Sequence, residues 1–97
     1  MKLTGSELWD AMRQDPSKWV ETTDEMYYEM LTVLPPERFT KHSFLMGEPF
    51  RTDSDGNKVY ACFEYRQGGY FARFMTEKQF EKNSDSVEMT SNPRGKL

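Results

Sequence analysis

The sequence predicts an α+β fold: N-terminal helices packed on a three-stranded antiparallel meander, then a short C-terminal helix and a flexible tail. Three observations carry this. Between Lys58 and Met75, apolar and polar side chains alternate strictly on either side of Gly68-Gly69, the pattern of a β-hairpin. Between Met26 and Leu34, apolar residues recur at helical spacing. Thr4, Thr22 and Thr76 are each followed three residues later by Glu or Gln, the capping-box signature of a helix start.

Thr4-Gly5-Ser6-Glu7 opens a first helix that buries Leu8, Trp9 and Met12. Asp15-Pro16-Ser17 breaks it and can restart one helical turn, with Asp15 as cap and Pro16 as first residue. Trp19 then follows toward the core. Thr22-Thr23-Asp24-Glu25 opens the main packing helix. Its stripe is Met26, Tyr27, Met30, Leu31 and Leu34, while Tyr28, Glu29 and Thr32 face away. Pro35-Pro36 ends it, because the residue before a proline is driven out of the α region.

Ser43–Arg51 reads as the first strand of the meander. Pro49 cannot donate to a ladder, and Gly47 stands close by, so this strand belongs at an edge or carries a bulge. Asp53-Ser54-Asp55-Gly56-Asn57 is a dense turn cluster. The hairpin supplies the other two strands, Lys58–Arg66 being central. A Gly68-Gly69 loop sets Phe63 opposite Phe74 and Glu64 opposite Arg73. A Gln67-Gly68 loop sets Phe63 opposite Ala72 and Ala61 opposite Phe74. The first is favoured for its cross-strand charge pair, worth about 0.2–1 kcal/mol. Either register keeps Ala61, Phe63, Tyr65, Ala72 and Phe74 on one face, where the Met26–Leu34 stripe should pack. Thr76-Glu77-Lys78-Gln79 starts a short helix anchored by Phe80. Residues 1–83 form one domain; residues 84–97 have little to bury and read as a tail.

Net charge is −3 and pI about 5.1, so no global basic field draws nucleic acid or anionic lipid. The charge is uneven: residues up to Phe39 carry −4, and those from Thr40 onward carry +1. Cys62 is the single cysteine, which fits a reducing compartment. No apolar run is long enough to span a membrane, and no signal-peptide pattern opens the chain. A cytoplasmic protein is expected.

No catalytic set, metal cluster or phosphate loop emerges, and no cofactor is expected. An EF-hand loop aligned on Asp55-Gly56 would need an oxygen ligand where Arg51 stands and a glutamate where Cys62 stands. One His and one Cys are too few for structural zinc. A His42–Cys62 nucleophile pair would have to work from mid-strand, where a free cysteine is usually a small buried hydrophobe. Glu48 interrupts an apolar strand, and a bulge would point it outward.

The second face of the hairpin is the candidate binding surface. It gathers Tyr60, Phe71 and Met75 with Glu64, Arg66 and Arg73. Three uses compete. A helix can cover the face; it can bind a protein, a second copy of the chain included; or its aromatics and arginines can hold single-stranded nucleic acid. The leading expectation is a non-enzymatic protein-binding module. Single-strand nucleic-acid binding is the alternative, disfavoured by the net negative charge.

YYEMLTVLPP, then FLMGEPF and VYACFEY, resembles a group of small uncharacterised proteins of bacterial plasmids and phages. The matching residues are Tyr27, Met30, Leu31, Leu34, Pro35 and Pro36, and the likeness spans about the middle half of the chain. It implies a mobile-element context, such as a modulator or inhibitor of a host protein, and brings no catalytic residues with it.

Overall fold

The computed structural model describes residues 1–84. The fold is α+β, but its antiparallel sheet has six strands rather than the three expected. In chain order the elements are α1 (Gly5–Gln14), β1 (Val20–Thr22), α2 (Asp24–Val33), β2 (Arg38–Phe39), β3 (Ser43–Leu45), β4 (Arg51–Thr52), β5 (Lys58–Arg66), β6 (Gly69–Thr76) and α3 (Glu77–Ser84). The sheet runs β1-β6-β5-β3-β2, with β4 also paired to β5. β5 is the central strand, as the meander required. Ser84, the first residue of the expected tail, ends α3, and the rest of that tail, residues 85–97, lies outside the described residues.

The extra strands are short and come from two sources. The segment after Asp15 does not restart a helix. It makes one turn, closed by the Lys18 N–H donating to the Asp15 carbonyl, and then extends as β1 on the outer edge of β6. Val20 and Thr22 are β-branched and suit a pleated ladder. The Leu3 N–H donates to the Glu21 carbonyl and the Thr22 hydroxyl to the Leu3 carbonyl, so the chain start covers this edge. The expected Ser43–Arg51 strand is split by a bulge. From Leu45 opposite Cys62 to Arg51 opposite Val59, this strand advances six residues while β5 advances three. Gly47 sits in that excursion and passes so close to α2's exit that a Cβ there would lie 2.0 Å from the Pro35 carbonyl oxygen.

The hairpin adopts the Gln67-Gly68 loop, which corrects the favoured register. Gln67 (φ 51°) and Gly68 (φ 81°) are both left-handed, as a two-residue primed turn requires. Tyr65 faces Tyr70, Phe63 faces Ala72 and Ala61 faces Phe74. The packing reason is direct. In the core, Phe63 and Phe74 now each oppose an alanine, where the other register would set them against one another; the large pair moves out to Tyr65 and Tyr70, nearer the hairpin tip and solvent. Gly69 enters the strand, and the Phe71 ring lies over it: a Cβ there would meet that ring at 2.9 Å. The Glu64–Arg73 cross-strand pair is lost. Glu64 instead faces Phe71 and forms an ion pair with Arg66 at 3.7 Å.

The sheet is covered on both sides. Leu8 and Met12 of α1 and Met26 and Tyr27 of α2 pack with Phe44, Val59, Ala61, Phe63, Ala72 and Phe74 in the larger core. Phe80 of α3 closes a smaller core with Leu45, Tyr60, Cys62 and Met75, and Trp19 packs against it. The caps differ in detail from the sequence pattern. Thr4 occupies the cap position of α1 without a side-chain bond, and Thr23 rather than Thr22 caps α2, accepting from the Met26 N–H at 3.1 Å. At α3 the capping box is complete. Gln79 N–H donates to the Thr76 hydroxyl and Thr76 N–H to the Gln79 side-chain oxygen.

Candidate binding surface

The six residues of the candidate face divide into two groups. Tyr60 and Met75 stand near the α3 end of the sheet and are buried beneath that helix at 5% and 2% exposure. They contribute to folding and are closed to a partner. Glu64, Arg66, Phe71 and Arg73 lie nearer the hairpin tip and stay at the surface or half-buried.

These four are joined by Trp19, which sequence reasoning had assigned only to the core. The turn at Asp15 delivers Trp19 beside β6. The Arg66 guanidinium lies 5.0 Å from the Trp19 ring centroid and 5.6 Å from that of Phe71, and Arg73 lies 5.7 Å from Trp19. Arg73 also donates through Nε to the Phe74 carbonyl at 3.2 Å. Two guanidinium planes are thus held against aromatic rings, a cation–π arrangement that reduces the freedom both arginines would lose on binding.

The electrostatics around Phe71 are mixed. Register puts Glu21 of β1 on one side of Phe71 and Glu64 of β5 on the other, all on the same face. Burial pushes the Glu64 carboxyl above the usual carboxylate range, while Arg66 and His42 oppose that rise. A base stacked on Phe71 would bring its phosphates toward two carboxylates.

A second aromatic group occupies the opposite face at the same end of the hairpin. Tyr27 and Tyr28 of α2 meet Tyr70 of β6, with ring centroids 5.1 and 6.2 Å from it, and Tyr65 lies 4.8 Å from Tyr70. His42 lies 6.0 Å from Tyr65. Tyr27 is buried, and desolvation together with its tyrosine neighbours raises its phenol to about 12. Tyr28 is 56% exposed and Tyr65 37%. The signal for this group was present in the Tyr27-Tyr28 pair. It was hidden because Tyr65 and Tyr70 oppose one another only in the Gln67-Gly68 register.

The residues weighed for chemistry are scattered. Cys62 is buried in the α3 core, and desolvation pushes its thiol well above its ordinary value, so thiolate is suppressed. His42 is exposed in the β2–β3 turn, and Glu48 is exposed at the bulge. The Asp53 carboxylate closes its own turn by accepting from the Asp55 and Asn57 N–H groups, both at 2.9 Å, and the Asn57 contact leads in holding it below the usual range. Among the described residues no group of three or more His, Cys, Asp or Glu is placed to hold a metal ion. Among them, too, no helix is long and apolar enough to cross a membrane. A scan of protein-family models, a search of curated proteins and a search of solved structures returned no match.

Proposed function

We propose that this chain is a small non-enzymatic binding module that recognises a protein partner through the surface formed by Trp19, Glu64, Arg66, Phe71 and Arg73. The observation that carries this reading is the pair of arginines held against Trp19 and Phe71. Trp and Arg dominate the energetic centres of protein interfaces, and here they are pre-positioned next to a carboxylate that can pair with a partner's donor. A mobile-element modulator or inhibitor of a host protein is the biological setting we favour, with a second copy of the chain as the competing partner. Flanking of Phe71 by Glu21 and Glu64 argues against the nucleic-acid alternative.

The test uses the native host's lysate and mixed-sequence single-stranded oligonucleotides at physiological salt. The expected result is a specific protein retained by the wild-type chain, lost with Arg66→Glu, and no oligonucleotide binding. Micromolar oligonucleotide binding that weakens at least about tenfold with added salt, and disappears in Arg73→Glu, overturns the reading in favour of a nucleic-acid binder.

A further inference from the structure

The β1–α2 region has an unusual charge pattern. From Trp19 to Glu37 the chain carries Glu21, Asp24, Glu25, Glu29 and Glu37 and no Lys, Arg or His. Asp24, Glu25 and Glu29 are exposed on α2, and among the described residues none of them forms an ion pair. They share the helix surface with Tyr28. Glu25, Tyr28, Glu29 and Thr32 are exposed and follow the i, i+3, i+4, i+7 spacing of one helix stripe.

Tyr28 does not stand alone on this stripe. Its ring lies edge-on to Tyr27 at 5.0 Å and to Tyr70 at 6.2 Å, at interplanar angles of 76° and 62°. Tyr65, also exposed, continues the aromatic surface beyond Tyr70. Two rings, Tyr27 and Tyr70, hold Tyr28 in place, so less side-chain freedom remains for a partner to remove. A tyrosine face attracts cations through its quadrupole, and neighbouring carboxylates attract them through their charge. Both features select the same kind of occupant.

We propose that the outward stripe of α2, together with Tyr65 and Tyr70, docks a Lys/Arg-rich segment of a partner protein. This surface lies on the opposite sheet face from the Arg66–Trp19–Arg73 group. It therefore stands independently of the function proposed above. The basic segment places its cationic heads on Tyr28 and Tyr65 and against Glu25 and Glu29, while its aliphatic stems cover the rings.

The experiment titrates the full chain with deca-arginine, and with deca-glutamate as the control, following backbone amide shifts by NMR and affinity by calorimetry. The expected result is deca-arginine binding whose shifts centre on residues 24–33, 65 and 70. Tyr28→Ala should weaken it about fivefold, the equivalent of a cation–π contact of about 1 kcal/mol. Glu25→Lys with Glu29→Lys should abolish it, while Asp55→Lys, a charge reversal of the same sign in the exposed β4–β5 turn, should leave it within about twofold. Binding that survives Tyr28→Ala unchanged, or shifts spread over the whole acidic surface, would show diffuse attraction to net negative charge and overturn the proposal. Absence of binding at low salt overturns it too.

Discussion

Phe80 of α3 is the residue whose removal reports most on this architecture, because among the described α3 side chains it is the one that enters the smaller core. It is 1% exposed. A buried phenylalanine withdraws about 150–250 Å² from water. At ~25 cal/mol per Å² this is about 4–6 kcal/mol, less the share an alanine methyl retains. Measured Phe→Ala losses in cores run at about 3–5 kcal/mol. Small domains have about 5–15 kcal/mol in total, so Phe80→Ala removes a large share. Cys62 lies beneath the same helix at 1% exposure and supplies the assay. Its labelling by a thiol reagent under native conditions requires α3 to open. A loss of 3–5 kcal/mol raises the open population, and hence the labelling rate, by about a hundredfold to a few thousandfold. Urea melting followed by tryptophan fluorescence measures the loss itself. Arg38→Ala supplies a milder arm. Arg38 ties β2 to α3 through Glu77 at 3.3 Å and Glu81 at 3.1 Å, half-exposed pairs worth about 1 kcal/mol or less each. Its removal should speed labelling by about twofold to thirtyfold while the rest of the fold stays intact. If Phe80→Ala melts within about 1 kcal/mol of wild type and labels less than about tenfold faster, α3 does not seal that face and the reasoning fails.

Three further outcomes are expected. Gly47→Ala should destabilise by about 1–3 kcal/mol in urea melts, because its Cβ would collide with the Pro35 carbonyl, a backbone atom fixed by the helix end; an unchanged midpoint would refute the close approach. Gln67→Gly should stabilise by about 1 kcal/mol and Gly68→Val should destabilise by more, since both positions are left-handed; the reverse order would restore the Gly68-Gly69 loop. Glu37 has its carboxyl raised chiefly by a hydrogen bond with Glu77, so its protonated form is favoured by folding. Stability from this group is therefore present in acid and lost as pH rises through the folded pKa. Glu37→Gln should melt higher than wild type at neutral pH, with the gap closing below the ordinary carboxylate pKa. A gap that does not change with pH would remove Glu37 from that role.

The elements with strong local signals were legible in the sequence. The stripe of Met26, Tyr27, Met30 and Leu31, the Pro35-Pro36 stop, the Thr76–Gln79 capping box and the inward face of Ala61, Phe63, Ala72 and Phe74 all stand where periodicity and capping chemistry placed them, while Leu34, the last stripe position, has already left the helix as its extended C-cap. Side-chain period two makes a face assignment insensitive to a two-residue register change, which is why the core survived the wrong loop. What escaped was non-local. Nothing within Val20-Glu21-Thr22 says that β6 has an open edge for it. Two- and three-residue strands such as β2 and β4 are defined by their partners, not by a pattern of their own. The candidate face split for the same reason. Whether Tyr60 and Met75 are covered depends on where α3 lands, and Trp19 joins Arg66 and Arg73 only because β1 brings it there.

The placement of β1 has a consequence for the order in which the fold can be completed. Val20 pairs with Ala72 and Thr22 with Tyr70, so the first strand to leave the ribosome waits for nearly the last. The β5–β6 hairpin needs only a two-residue loop and can close within microseconds of emerging. α1 and β1, by contrast, must span the whole intervening chain, at an entropic cost that slows their docking. During synthesis Leu8, Trp9, Met12 and Trp19 thus remain without their sheet until residues past Thr76 are free. A nascent chain stalled before β6 clears the exit tunnel is expected to expose these side chains to chaperones, and one stalled far enough beyond Thr76 is not; crosslinking of arrested chains distinguishes the two.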